Sequence, residues 1–469
     1  MATPVPDRAA AAALGAALRR LGYVEEELER LLDEEAFSGG REEVLVAERR
    51  LPRSKLATAV RLLFLQLPVP EQDAVDALGR KAVEGLAATG LADLSGDVVP
   101  SSRIVPIDDV LLASDGFTRD ADDPPDYVAS YTPTARTCDV LTPRTRGERA
   151  LDVGTGSGIH ALLAAMDNRH VVAVDVNPRA LAYTELNAAL NGLGNVECRD
   201  GSFFEPAGTE TYDLITCNAP YVVSPEHRWI YRDSGFRGDD LTAYLVAEAA
   251  AHLAPDGYAT LLGSWLVKGK GDSEERPVAW VEETGCDGWV LASPEIDPLG
   301  HAASWNAEFF GDTAAYNAVL DEWTAYLAKL GARGVAEGAV LLHNRGARRP
   351  TIRVDEIDEE SLEPADRQIR RAFANRARLA GMRNRDLLGA RLARAMPLSY
   401  ERGLGRRSGE LALDGGTGSM LPATPAAAKL VERLDGKTTL NRLGADRAAV
   451  ELCRDLLELG ALRFAQSPR

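Results

Sequence analysis

The spacing of apolar positions changes character twice along this chain. Near the start, Leu14, Leu18 and Leu21, then Leu28, Leu31 and Leu32, recur at helical intervals. Residues 75–91 read as a further helix, and residues 91–94 and 98–100, with Gly96 between them, read as a short strand pair. From about residue 121 short, largely apolar runs appear, as at 171–174 and 259–262, with helical patterns between them. Strands of that kind are buried on both faces, and their alternation with helices predicts an α/β fold built on a mainly parallel, doubly wound sheet. Beyond about residue 345 helices return, at 426–431 and 450–459, with a turn expected at Asp435-Gly436.

These changes divide the chain into three expected domains. Residues 1–120 form a helical or winged-helix-like N-terminal domain, residues 121–345 the α/β domain, and residues 346–469 a C-terminal winged-helix-like domain. Pro124 and Pro125 mark the entrance to the middle one. The length of 469 residues fits, because one hydrophobic core rarely serves so long a chain. The net charge of −18 disfavours nucleic acid as the main partner. A dozen arginines between Arg367 and Arg407 are the one candidate for a local basic patch; an exposed helix face with a loop is the plainer reading. The five cysteines (Cys138, Cys198, Cys217, Cys286, Cys453) and six histidines show no metal-ligand spacing, so neither a metal nor a disulfide framework is expected. No apolar run reaches the ~18 residues of a membrane span. A reduced, cytoplasmic setting is the expectation, and the oligomeric state is not legible.

Two stretches carry chemistry. In the first, Leu151-Asp152-Val153 ends a strand and Gly154-Thr155-Gly156-Ser157-Gly158 turns into a helix. Glycines there let the backbone approach a ligand closely. A second strand ends at Asp175, followed by Val176-Asn177-Pro178, with proline in the first turn of the next helix. Some sixty residues past the glycine turn, Tyr212-Asp213-Leu214-Ile215-Thr216-Cys217 reads as a fourth strand. Asn218-Ala219-Pro220-Tyr221 follows at its C-terminal end, where ligands gather in open parallel sheets. A glycine turn alone would also fit a dinucleotide site.

Taken together, these residues resemble motifs I and IV of class I S-adenosyl-L-methionine-dependent methyltransferases. The similarity is to the HemK/PrmC and RlmG/RsmC-like small-domain group and extends over roughly residues 75–310, through Tyr231-Arg232-Asp233-Ser234-Gly235. The resemblance implies a Rossmann-like sheet with S-adenosyl-L-methionine as cofactor and S-adenosylhomocysteine as product. It places Asp152, Gly154, Thr155, Gly156 and Gly158 at the methionine end, and Asp175, Val176 and Asn177 near the ribose. It places Asp200, Gly201, Ser202 and Phe203 beside the adenine, Asn218, Pro220 and Tyr221 at the reacting nitrogen, and Tyr131 over the methionine end as a lid or substrate contact. Where the family pattern commonly has a first proline, this chain has Ala219. In the C-terminal segment the pattern is weakly similar to PqqD-like peptide-binding domains.

The residue types suit N-methylation. A planar NH2 has a delocalised lone pair, so it needs acceptors that hold its hydrogens and aim the nitrogen at the methyl group. The Asn218 side-chain oxygen and a carbonyl of Ala219 or Pro220 supply acceptors, and Tyr221 supplies a flat face. The expected acceptor is a peptide, a protein or a specialised small molecule. Three alternatives stay open: an rRNA guanine or adenine methyltransferase, a carboxyl or hydroxyl O-methyltransferase, and a non-catalytic cofactor-binding regulator. Trp265, Asp297, His301 and Trp305 could line a pocket, with packing the plainer reading.

Overall fold

The computed structural model describes residues 3–32, 43–116, 124–226, 230, 232, 235–269, 273–346, 349–403 and 406–465. Its centre is an eight-stranded sheet. In chain order the strands are β1 (Gly147–Val153), β2 (Asn168–Asp175), β3 (Val196–Asp200), β4 (Tyr212–Cys217), β5 (Leu253–Val267), β6 (Asp287–Ala292), β7 (Gly334–His343) and β8 (Ile352–Glu356). Their spatial order is β8-β6-β7-β5-β4-β1-β2-β3. All neighbours are parallel except β7, which lies antiparallel between β5 and β6. The chain order reverses between β1 and β4, and a crevice at such a switch point is where open α/β sheets bind ligands. β7 separates this sheet from the all-parallel dinucleotide arrangement.

The sheet runs past the boundary expected at residue 345. Asp287 spans that boundary, accepting from Arg345 Nε at 2.6 Å and from the Thr351 N–H and hydroxyl. β8 is thereby aligned on β6.

The N-terminal segment is mostly helical, and the expected strand pair forms as Ala92–Ser95 and Asp97–Pro100, turning at Gly96 with φ 107°. The single helix expected over 75–91 is two, Glu71–Leu78 and Arg80–Ala88, because Gly79 takes φ 87° between them. A second hairpin, Ser102–Ile107 with Val110–Asp115, escapes the sequence pattern. It docks on the helix Pro178–Leu190, whose Asn187 side chain bonds both the N–H and the C=O of Ala113 at 2.8 Å. Leu14, Leu18, Leu112, Leu162 and Leu186 share one core, so this segment and the sheet domain are packed as a unit.

The C-terminal segment contains helices Asp366–Leu379 and Arg447–Glu458 and two small three-stranded sheets. The turn expected at Asp435-Gly436 instead opens the strand Asp435–Thr439. The arginine run is not an open basic stripe where the helix Asp366–Leu379 carries it. Arg370 pairs with Asp366, Arg371 donates to the Gly460 carbonyl, Arg376 lies buried on the Trp289 ring, and Arg378 covers Phe464. No helix among the described residues is long and apolar enough to cross a membrane.

Candidate active site at the C-terminal edge of the sheet

The glycine turn leaves β1 beside β4. Gly154, Gly156 and Gly158 all have positive φ, at 69°, 56° and 91°. The N–H groups of Gly154 and Thr155 both reach the Val174 carbonyl at 2.9 Å. Asp152, 1% exposed, holds the turn from beneath. Its oxygens accept from the Thr155 hydroxyl (2.7 Å), the Thr216 hydroxyl (2.8 Å) and the Ala161 N–H (3.1 Å). Asp152 therefore shapes the cradle through bonds it already makes within the chain.

Asp175 closes the other side. It accepts from the N–H groups of Gly156 and Asn177, each at 2.9 Å. Burial pushes its carboxyl above the usual range, and those N–H groups hold it back. A Cβ at Gly156 would meet nothing within 4 Å, so the turn opens there onto free space. Val176 beside it is 49% exposed, an apolar patch at the strand end. Asn177 is a helix cap: its oxygen takes the Arg179 N–H at 3.0 Å and its amide donates to the Asp126 carbonyl.

Past β3, exposed Asp200 leads into Gly201 and Ser202. Phe203 has φ 48°, uncommon for a bulky residue, and sits edge-on to Phe236 (5.9 Å) and Tyr244 (6.0 Å). An open glycine turn, a strand-end carboxylate and an aromatic edge fit the methionine, ribose and adenine parts of S-adenosyl-L-methionine.

The strip after β4 abuts this cradle. A Cβ on Gly154 would lie 3.2 Å from the Ala219 Cα. The Asn218 side chain makes no hydrogen bond among the described residues. Pro220 is half-buried. The Tyr221 carbonyl accepts from the Ser264 hydroxyl at 2.5 Å, and the ring, 9% exposed, packs into a core with Leu262 and Ala339. Little of that ring is free for stacking. Tyr131 donates its hydroxyl to Asp139 at 3.1 Å and packs on the N-terminal core. The other pocket candidates divide. Trp265 is buried with its N–H on the Ser273 carbonyl, and Asp297 caps the helix Pro298–Ser304. His301 and Trp305 instead meet at Glu337. Tyr231, Asp233 and Ser234 lie outside the described residues.

Glu337 is the residue that sequence reasoning misses. It lies on β7 opposite Ser264, and its charge acts on the Tyr221 hydroxyl. Burial pushes its carboxyl up to about 7; the Trp305 N–H at 2.9 Å works against that shift and nearby Glu359 adds to it. The available signal was a lone acid in the apolar run Val335 to Leu342. Among the described residues no cluster of metal-ligating side chains forms.

A family model described as a methyltransferase domain matches residues 144–260, and one described as a domain of unknown function matches residues 20–102. The ribosomal protein uL3 glutamine methyltransferase of Bradyrhizobium diazoefficiens is 34% identical over 174 residues, 33% of this chain and 53% of that protein. The release factor glutamine methyltransferase of Aliivibrio fischeri is 36% identical over 173 residues, 35% of this chain and 58% of that protein. The chain spans about half the length of the curated relatives it matches. Among solved structures, Trm5b from Pyrococcus abyssi is 17% identical with a TM-score of 0.31, covering 52% of this chain and 58% of that one. The domain is thus a class I, S-adenosyl-L-methionine-dependent methyltransferase domain with a Rossmann-like sheet. Over the matched stretch it is similar to glutamine methyltransferases of ribosomal protein uL3 and of release factors.

Proposed function

We propose that this chain N-methylates a planar nitrogen, a side-chain carboxamide of a protein or peptide. The observation that carries this reading is the Asn218 amide at the end of β4, beside the glycine turn, with no hydrogen-bond partner among the described residues. S-adenosyl-L-methionine, when bound, supplies an electrophilic methyl group. The chain's own work is to orient the acceptor. The Asn218 oxygen takes one N–H of the acceptor amide, and a carbonyl of the same strip takes the other. This fixes the nitrogen in line and removes the orientational freedom that dominates the barrier for so weak a nucleophile. Relatives named as glutamine methyltransferases of a ribosomal protein and of release factors support a carboxamide over a carboxylate or hydroxyl. In this reading the enzyme is cytoplasmic, the central sheet domain, with β8 included, binds the cofactor and the reacting nitrogen, and the N- and C-terminal segments present the substrate.

The test is transfer of labelled methyl from S-adenosyl-L-methionine to purified release factor and ribosomal protein uL3 of the same organism, with the site mapped by mass spectrometry. Label on a glutamine nitrogen supports the reading. Label released as methanol by base marks an ester and overturns it.

A further inference from the structure

We propose that Glu337 is the proton-accepting and positioning residue of the methyl-acceptor pocket, with Trp305 and His301 fixing its carboxyl and Glu359 flanking it. The proposal rests on the N-methylation reading and deepens it.

Three elements converge on this carboxyl. β7 contributes Glu337, on the same sheet face as Ala339 and Tyr221. The segment after β6 contributes His301 and Trp305, and Ser293 with it, whose hydroxyl donates to Glu359 at 3.1 Å. The strip after β4 contributes Tyr221, whose hydroxyl feels both Glu337 and Glu359. Arg232, the nearby cation, is held by Glu226 at 2.6 Å and by the Trp305 carbonyl, so its charge is engaged elsewhere.

His301 makes the cluster more than an acidic patch. Its ring is fully buried, and Nε2 lies 3.1 Å from the Val223 carbonyl. A carbonyl only accepts, so Nε2 carries the proton and Nδ1 is a bare lone pair. That Nδ1 has no hydrogen-bond partner, and it faces Glu337 Oε1 at 3.5 Å. A carboxylate there sets acceptor against acceptor, and a proton between the two resolves the conflict. Burial holds His301 down at about 4 and Glu337 up at about 7, so the proton belongs to Glu337. The pair is therefore a one-proton store that empties near neutral pH.

N-methylation of a carboxamide needs such a store. The new N–C bond takes the nitrogen electron pair, and the S–C bond breaks with its pair left on a neutral thioether. The nitrogen then carries one proton too many for a neutral N-methyl amide, and the ionised Glu337 takes it. General acid–base groups of this kind contribute roughly 10²-fold or more.

Two measurements test this. The first needs no acceptor: a carbon-13 NMR titration of glutamate-labelled protein with S-adenosylhomocysteine bound, with Glu337 assigned by E337Q. A midpoint near neutrality that rises further in W305F is expected, because the lost N–H had favoured the carboxylate. A midpoint in the ordinary carboxylate range overturns the proposal whatever the substrate is. The second is the pH profile of label transfer to the protein acceptor. E337Q should keep its affinity for S-adenosylhomocysteine, lose roughly 10²-fold in kcat and lose the ascending limb near pH 7, with E337D restoring part of both. An E337Q profile that keeps that limb, with kcat within about twofold of wild type, overturns the proposal. Label on oxygen instead of nitrogen sinks the N-methylation reading separately, and the titration still reports on Glu337.

Discussion

Asn218 and Glu337 respond to substitution in opposite ways. Asn218→Ala removes an amide with no hydrogen-bond partner among the described residues, so folding stability and cofactor affinity stay near wild type. Turnover falls by roughly 10²–10³-fold, because the lost contact orients the reacting nitrogen. Calorimetry and label transfer on the same preparation check both halves. Tyr221→Phe is mild, since no hydrogen bond to the hydroxyl is described, whereas Tyr221→Ala opens a core cavity and costs about 3–5 kcal/mol. Glu337 is an acid whose folded pKa stands above its ordinary value, near 7. Between those two pH values the folded state binds the extra proton, so stability falls as pH rises through the window and levels off above it. Glu337→Gln removes that dependence, because an amide has no proton to release in this range. Wild-type stability should fall by on the order of 3 kcal/mol across the window while that of the variant stays flat, read from urea unfolding across pH.

At the scale of elements, the glycine turn separates folding from binding within a few residues. Gly158 has φ 91°, and a Cβ there would meet Thr184 at 2.8–3.1 Å, including its Cα. Gly158→Ala therefore destabilises by about 2–3 kcal/mol, from left-handed strain plus overpacking. Gly156 also has positive φ, but its Cβ direction is open, so Gly156→Ala costs about 1 kcal/mol in stability and mainly obstructs the ligand. Melting curves and S-adenosylhomocysteine titrations should rank the two variants in opposite orders. The same turn shows what the sequence makes legible. β1, β2 and β4 are recognisable because both their faces are buried, leaving apolar runs that end at the Gly154 turn, Asp175 and Asn218. The antiparallel insertion of β7 is not, because register and direction come from pairing with β5 and β6, far away in sequence. The strands Leu398–Glu401, Gly409–Leu413 and Met420–Ala423 are short, with polar residues and glycine among them, and present no period long enough to read. Glu337 belongs with these, since its meaning depends on three elements meeting.

Across the whole molecule, charges that look like a surface feature in the sequence serve as internal fasteners. Arg376 is the main case. Its guanidinium is buried, stacks 4.3 Å from the Trp289 ring on β6, and donates to the Glu458 carbonyl at 2.9 Å and the Gly288 carbonyl at 3.2 Å. Burial pulls its pKa down to about 9, so the group stays charged at neutral pH. One side chain thus ties the central sheet to the helix Arg447–Glu458, and the core it borders includes Tyr221 of the candidate site. Hydrogen bonds to a buried charged donor are worth about 1.5–3 kcal/mol each, and Arg376 makes two of them. Arg376→Ala should therefore cost roughly 3–5 kcal/mol. Arg383, whose side chain is 68% exposed and bridges to Asp386, is the control from the same run, and Arg383→Ala should shift stability by less than about 0.5 kcal/mol. Denaturant unfolding followed by tryptophan fluorescence and by circular dichroism distinguishes the outcomes. Coincident transitions, both moved by Arg376→Ala and neither by Arg383→Ala, mean that the C-terminal segment and the sheet unfold together, with the Tyr221 side of the site held by both. An early separate transition of the C-terminal helices in wild type would make that segment an independent module, and the loss in Arg376→Ala would then leave the cofactor cradle intact.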